Sequence, residues 1–237
     1  MIDKLQELIY KSNNIVFFGG AGVSTESGIK DFRGKNGLYK DKNNYDRPPE
    51  YMLSHQCLYN EPELFFDYYK NNLNSEGIEP NITHKYLKEL EDKNKLKAIV
   101  TQNIDGLHQK AGSKKVLEVH GTTYSCHCIK CHKKYPGETI FKAKGIPKCE
   151  CGGMIRPEVT LYGEQLPEAF DEAIYYITNA DLLIVAGTSL TVEPASSLVR
   201  LFRGKHLIII NDSPTPYDNI AELVIHKPLG EIFSKLK

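Results

Sequence analysis

The chain has 237 residues, of which 41% are hydrophobic and 25% charged, with a formal net charge of +0. That is enough apolar mass for a substantial core, and it leaves no charge excess to hold the protein to nucleic acid or to an anionic membrane. No apolar run reaches the length of a bilayer span. These features set the expectation of a cytoplasmic protein with no membrane or nucleic-acid partner.

The N-terminal stretch MIDKLQELIY spaces Ile2, Leu5, Leu8 and Ile9 as one helix face and lacks the apolar run of a signal peptide. Ile15–Phe18 is a short buried strand that runs into Gly19-Gly20-Ala21-Gly22. Glycine there lets the backbone approach another group closely or take positive φ. The dinucleotide fingerprint is incomplete, because Thr25 stands where its third glycine would be. Helical patterns follow at 61–72 and 83–90, a strand at 96–101 and another at 116–120. After these come a helix at 167–178 and the unbroken apolar strand 182–186. A helix at 194–202 opens on proline, and a last apolar strand occupies 207–210. Strands alternating with helices predict an α/β fold, a Rossmann-like doubly wound parallel sheet covered on both faces.

Ligands of such sheets sit beyond the carboxyl ends of the strands. The residues there are Gly19–Gly22, Thr101-Gln102-Asn103-Ile104-Asp105, His120-Gly121, Gly187-Thr188-Ser189 and Asn211-Asp212. Each strand ends in small or hydrogen-bonding residues. Singly, each reads more readily as turn or structural chemistry; together they predict one polar pocket. The second half repeats nucleotide-binding logic, with Gly187-Thr188-Ser189 suited to phosphate or ribose and Asn211 where an acid usually holds the ribose.

One segment, 125–156, breaks the alternation. Of six cysteines in the chain, five crowd into 126–151. Cys128-x-x-Cys131 and Cys149-x-Cys151 offer four thiolates for a tetrahedral Zn²⁺, a closed structural site on which a small insert can fold. Cys126 and His132 compete for a place in that ligand set.

Taken in order, Gly20-Ala21-Gly22-Val23-Ser24, Gly28-Ile29-Lys30-Asp31-Phe32-Arg33, Thr101–Asp105, His120-Gly121, the cysteine pairs, Arg156-Pro157-Glu158-Val159 with Tyr162-Gly163-Glu164, Gly187-Thr188-Ser189-Leu190 with Val192 and Pro194, and Asn211 resemble the sirtuins, the NAD-dependent protein-lysine deacylases. The match spans almost the whole chain. The resemblance implies transfer of an acyl group from acyl-lysine of a protein or peptide to ADP-ribose. The products are nicotinamide, deacylated lysine and O-acetyl-ADP-ribose. It implies NAD as co-substrate and one structural zinc ion.

By the same resemblance, Gly20, Ala21, Gly22, Thr25, Asp31 and Arg33 belong to the pyrophosphate and ribose loop. Phe32, Ile104 and Asp105 would line the nicotinamide pocket. Gln102 and Asn103 would order the neighbouring ribose and a water. Gly187, Thr188, Ser189, Asn211 and Asp212 would hold the adenosine side. His120 is the implied general base, with Asn103 beside it as a second catalytic residue. The acyl-lysine peptide would add as a strand between Gly163-Glu164 and residues 190–193, touching Val159, Tyr162, Leu190 and Val192.

The resemblance further implies a single catalytic unit over 1–237. Its large NAD-binding part would comprise about 1–34, 80–120 and 157–237. Its small part would be assembled from a helical insertion at about 35–79 and a zinc-binding one at 121–156. Two features are particular to this chain. Lys30 replaces the proline usual in the family before Asp31, which frees the loop and predicts poorer NAD binding. The helix Leu64–Lys70 lacks the arginine of sirtuins that take acidic acyl chains, which favours acetyl or a longer apolar acyl group. Rival readings are mono-ADP-ribosyl transfer, a zinc-ribbon binding protein using the lysines of the insert, and an NAD sensor without turnover.

Overall fold

The computed structural model describes residues 1–31, 37 and 45–237. Strands are β1 (Ile15–Gly19), β2 (Leu96–Thr101), β3 (Val116–Glu118), β4 (Gly121–Cys128), β5 (Lys134–Pro136), β6 (Ile155–Val159), β7 (Leu182–Ala186), β8 (His206–Ile210) and β9 (Leu223–Ile225). Helices are α1 (Ile2–Lys11), α2 (Pro49–Met52), α3 (His55–Asn60), α4 (Pro62–Asn72), α5 (Ile82–Asp92), α6 (Leu107–Lys110), α7 (Glu138–Lys142), α8 (Ala169–Asn179), α9 (Leu198–Leu201) and α10 (Leu229–Phe233).

Six strands form one parallel sheet in the order β3-β2-β1-β7-β8-β9. Each strand side chain alternates between the two faces, so an unbroken apolar strand feeds two cores at once. Ile15 and Phe17 of β1, Leu182 and Ile184 of β7 and Ile208 of β8 face one core, which Leu5, Leu8 and Ile9 of α1 and Leu87 of α5 complete. Val16 and Phe18, Leu183 and Val185, and Ile209 face the other, under Ala173 and Ile177 of α8 and Leu198 of α9. The chain leaves β1 for β2 on one side and reaches β7 on the other, so the winding reverses between β1 and β7. A crevice at that reversal is where doubly wound sheets bind ligands.

The cysteine segment departs from a bare metal-held loop. It forms a three-stranded antiparallel sheet, β5-β4-β6. That sheet packs on α3 and α4 in a third core containing Met52, Phe65, Phe66, Tyr69, Cys126, Cys128, Cys149 and Ile155. The expected helix over 194–202 is replaced by a 3-10 turn at Ala195–Ser197 followed by the short α9. Ser197 Oγ donates to the Pro194 carbonyl at 2.6 Å, a local bond that competes with α-helical pairing. The expected strand at 116–120 ends at Glu118. Among the described residues, no helix is long and apolar enough to cross a membrane.

Candidate active site and metal centre

Glycine in the first loop answers a packing demand. Gly20 N donates to the Ala186 carbonyl at 3.2 Å and Gly22 N to the Gly187 carbonyl at 2.8 Å. The loops after β1 and β7 therefore touch backbone to backbone. A Cβ on Gly22 would stand 2.8 Å from Gly187 Cα, and Gly187 itself has φ +61°. The chain then makes two 3-10 turns, Ala21–Val23 and Thr25–Ser27, and closes on Gly28. The result at the sheet's reversal is a shelf with few side chains, edged by hydroxyls. Thr25 is exposed and Ser189 half-buried. Thr188 Oγ1 accepts from Gln102 Nε2 at 3.0 Å and from Leu190 N at 3.2 Å.

Beside the shelf runs a buried polar chain. Asn103 Nδ2 donates to Ser24 Oγ at 3.0 Å, and Ser24 Oγ donates to Asp105 Oδ2 at 2.6 Å. Leu107 N donates to Asp105 Oδ1 at 3.0 Å. Burial raises the Asp105 carboxyl above its usual range, while these two donors oppose the shift. Asn103 is itself fixed by its backbone N–H donating to Thr101 Oγ1 at 3.0 Å. Ser24, which links the two expected site residues, was not among the expected ligands. Its sequence signal was a hydroxyl next to the glycine turn, at the end of the first stretch that carries the resemblance.

His120 follows β3 on the same edge. Its Nδ1 lies 3.1 Å from the Gln102 carbonyl. A carbonyl can only accept, so Nδ1 carries the proton and Nε2 keeps its lone pair. Burial lowers its pKa and the bond to Gln102 partly offsets this. Asn211 joins the edge through Gly187 N, which donates to the Ile210 carbonyl at 3.0 Å. The Asn211 amide turns to the Ser213 carbonyl at 2.7 Å, and Asp212 is exposed. Ile104 is half-buried and its carbonyl accepts from Thr123 N at 3.0 Å. Asp31 is half-buried at the end of the loop. Phe32 and Arg33 lie outside the described residues.

The segment after β6 reaches this edge too. Thr160 N donates to the His120 carbonyl at 2.9 Å, which sets Val159 beside the histidine backbone. Tyr162 is tied across to α3: its N–H donates to Leu53 O at 3.0 Å, and its carbonyl accepts from His55 N at 2.9 Å. Gly163 has φ +91°. Glu164 is already occupied, by Arg156 Nη1 and Nη2 at 2.5 and 2.9 Å and by Leu161 N at 3.0 Å. Those donors hold its pKa at about 2 against the effect of burial. Leu190 has a buried side chain and φ +54°, and Val192 is half-buried. Glu164 and Leu190 can therefore offer a ligand chiefly backbone.

The four thiols of Cys128, Cys131, Cys149 and Cys151 converge, all within 4.8 Å of one another. Cys128 and Cys151 sulfurs are 3.4 Å apart, and Cys131 and Cys149 sulfurs 3.6 Å. A tetrahedral zinc with Zn–S bonds of about 2.3 Å needs edges of about 3.8 Å, so the set fits with little movement. The competitors fall away. Cys126 Sγ turns to the carbonyls of Tyr135 and Pro136, and His132 is outside the cluster. Tyr135 Oη, 3.0 Å from Cys149 Sγ, is the main cause pulling that thiol down to about 6. Gly153 makes the closure possible, because a Cβ there would stand 2.6 Å from Cys128 Sγ.

Comparison with known proteins agrees with this geometry. Residues 20–194 match the Sir2 family model. An NAD-dependent protein deacetylase of Clostridium perfringens is 51% identical over 238 residues, covering 99% of this chain and 98% of the relative. One of Clostridium acetobutylicum is 50% identical over 234 residues, covering 98% and 96%. A Sir2 structure with deacetylated p53 peptide and 3′-O-acetyl-ADP-ribose superposes with a TM-score of 0.90 at 38% identity, covering 98% of this chain and 96% of that one. A Sir2–p53 peptide–NAD⁺ structure superposes with a TM-score of 0.88 at 36% identity, covering 99% and 96%.

Proposed function

The chain belongs to the Sir2 family, and on that premise we propose that it is an NAD-dependent protein-lysine deacetylase. It transfers the acyl group of acyl-lysine to ADP-ribose and releases nicotinamide, deacylated lysine and O-acetyl-ADP-ribose. The observation that carries the reading is the orientation of His120: Nδ1–H on the Gln102 carbonyl leaves a basic Nε2 at the edge that also holds Asn103, Ser24 and Asp105.

The residues present fit NAD. The shelf at Gly20–Gly22 and Gly187 leaves room for a pyrophosphate to come close to the backbone, and Thr25, Thr188 and Ser189 bring hydroxyls for phosphate and ribose oxygens. Gly20, Ala21, Gly22, Thr25, Asp31 and Arg33 form the phosphate side in this reading, and Gly187, Thr188, Ser189, Asn211 and Asp212 the adenosine side. Ile104, Asp105 and Phe32 receive the nicotinamide. Bound NAD supplies a ribose carbon whose bond to nicotinamide is weakened by the ring's positive charge. Asn103, its amide anchored on Ser24, orders the ribose hydroxyls. His120 Nε2 takes the proton from the hydroxyl that accepts the acyl group, a role matched to a base that is neutral at pH 7. Holding the peptide against the ribose supplies most of the remaining rate, because the acyl oxygen is a poor nucleophile.

The peptide lies as an added strand on Gly163-Glu164 and residues 190–193, near Val159, Tyr162 and Val192, and is read mainly through its backbone. Zinc at Cys128, Cys131, Cys149 and Cys151 supplies the fold of the small sheet. The chain divides into a large NAD-binding part, about 1–34, 80–120 and 157–237, and a small part from 35–79 and 121–156. It works in the cytoplasm, which fractionation of cells carrying the tagged protein would check.

The deciding experiment mixes purified protein with an acetyl-lysine peptide, with and without NAD, and follows products by mass spectrometry. Loss of acetyl only with NAD, matched one to one by O-acetyl-ADP-ribose and abolished by His120→Ala, is the expected result. Nicotinamide release without deacetylation would replace this reading with ADP-ribosyl transfer. A succinyl-peptide turning over faster than the acetyl one would overturn the acetyl or apolar preference that the arginine-free helix α4 suggests.

A further inference from the structure

A residue outside the pocket, Asn81, uses its whole amide on two elements at once. It stands at the N-cap of α5, next to Pro80, and is half-buried. Its Oδ1 accepts from Thr83 N at 2.9 Å and lies 3.1 Å from His84 Nδ1. Its Nδ2 donates to the Val23 carbonyl at 2.8 Å and to Ser27 Oγ at 3.0 Å. The amide orientation is fixed, because a carbonyl such as that of Val23 can only accept. So the oxygen caps the helix, as N-cap asparagines do. The two N–H donors reach back 58 and 54 residues to the glycine-turn loop.

Those two acceptors are not arbitrary. Val23 is the last residue of the first 3-10 turn, and the next residue is Ser24, whose hydroxyl joins Asn103 to Asp105. Ser27 closes the second turn, just before Gly28. A 3-10 turn has poor hydrogen-bond geometry and few bonds of its own. Both turns therefore need an external tie to stay in place before a ligand arrives. We propose that Asn81 is a positioning residue for the reaction: it preorganises the loop 20–28 that receives the dinucleotide, and with it Ser24. The inference rests on the reading of that loop as the NAD shelf. An ordered loop spares the ligand the cost of ordering it, so the effect belongs in NAD affinity and not in peptide affinity.

Helix capping and loop tying separate by substitution. Serine and aspartate cap helices about as well as asparagine. Serine is too short to reach Val23, and aspartate has no donor for it. In Asn81→Ser and Asn81→Asp the melting temperature should stay within a few degrees of wild type. The KM for NAD should rise about tenfold, the scale set by losing two hydrogen bonds of modest net worth. The KM for acetyl-peptide should change less than twofold. Ser27→Ala removes one of the two acceptors and should show a smaller rise, about two- to threefold. A KM for NAD within twofold of wild type in both Asn81 variants would overturn the proposal. So would a parallel rise in both KM values with a lowered melting temperature, which marks general destabilisation. Titration calorimetry of wild type with NAD alone separates the two levels of the argument. No binding there would sink the shelf reading itself, and Asn81's role with it.

Discussion

His120 shows how one hydrogen bond can set a residue's chemistry. The Gln102 carbonyl selects the tautomer, and burial lowers the pKa. A base must be neutral to act, and lowering its pKa keeps it neutral to more acid pH. The acid limb of kcat/KM for deacetylation should therefore have its midpoint below the unperturbed histidine value of about 6.5. Asp105 lies buried at the same edge, and burial raises its pKa. The two are separable, because Asp105→Asn should weaken activity yet keep a limb, whereas His120→Ala should remove turnover altogether. A midpoint at or above the unperturbed value would contradict the burial argument. The sequence already pointed to His120, Asn103, Gln102 and Asp105 as strand-end residues. It could not show the Asn103–Ser24–Asp105 chain, because hydrogen bonding across 79 and 81 residues leaves no local pattern.

At the scale of elements, the shelf loop is also held from the end of the chain. Glu26 Oε1 accepts from Gly230 N at 3.0 Å, a contact spanning 204 residues at the start of α10. A Cβ on Gly230 would stand 2.2 Å from Glu26 Oε2. In Gly230→Ala the flexible, exposed carboxylate should swing away, so the tie is lost and the fold kept. Alanine's better helix propensity, worth about 0.5–1 kcal/mol, works in the opposite direction on stability. Urea unfolding should therefore move by no more than about 1 kcal/mol, the larger of the two opposing terms. Amide exchange at 24–28 should quicken and the KM for NAD should rise about two- to fivefold, as expected for one lost hydrogen bond. Unchanged exchange there would show that α10 does not support the loop. The central strands of the main sheet were legible because two-sided burial writes an unbroken apolar run, as in Leu182–Ala186 and Leu207–Ile210. The small sheet was not. β4, β5 and β6 mix polar, charged and apolar residues beside the thiol cluster, and their pairing follows from contacts that no period reveals. Neither β9 nor α10 was anticipated, since each, though largely apolar, is too short to show a period.

Across the whole molecule, the metal centre and the helical insertion share one core. Cys128 and Cys149 are buried in the same cluster as Phe65 and Phe66 of α4, and Tyr69 stacks on Phe141 with ring centroids 5.5 Å apart. Lys70 adds a polar seam, donating to the carbonyls of Ala143 and Gly145 at 2.8 and 2.5 Å. The main sheet has its own two cores and does not depend on the thiols. Metal loss should therefore be felt by α2–α4 and β4–β6 together, while the parallel sheet persists. It should also reach catalysis, because β6 continues through Val159 into Thr160, bonded to the His120 carbonyl. Dialysis against a strong chelator should release about one zinc per chain, as a single four-thiolate site requires, with deacetylase activity falling in step. Far-ultraviolet dichroism should show partial rather than complete loss of structure. Gly153→Ala, which crowds Cys128 Sγ, should lose zinc at a lower chelator concentration than wild type. Full activity in zinc-free protein would mean that the small module folds on its apolar packing alone. The four cysteines would then be dispensable to catalysis.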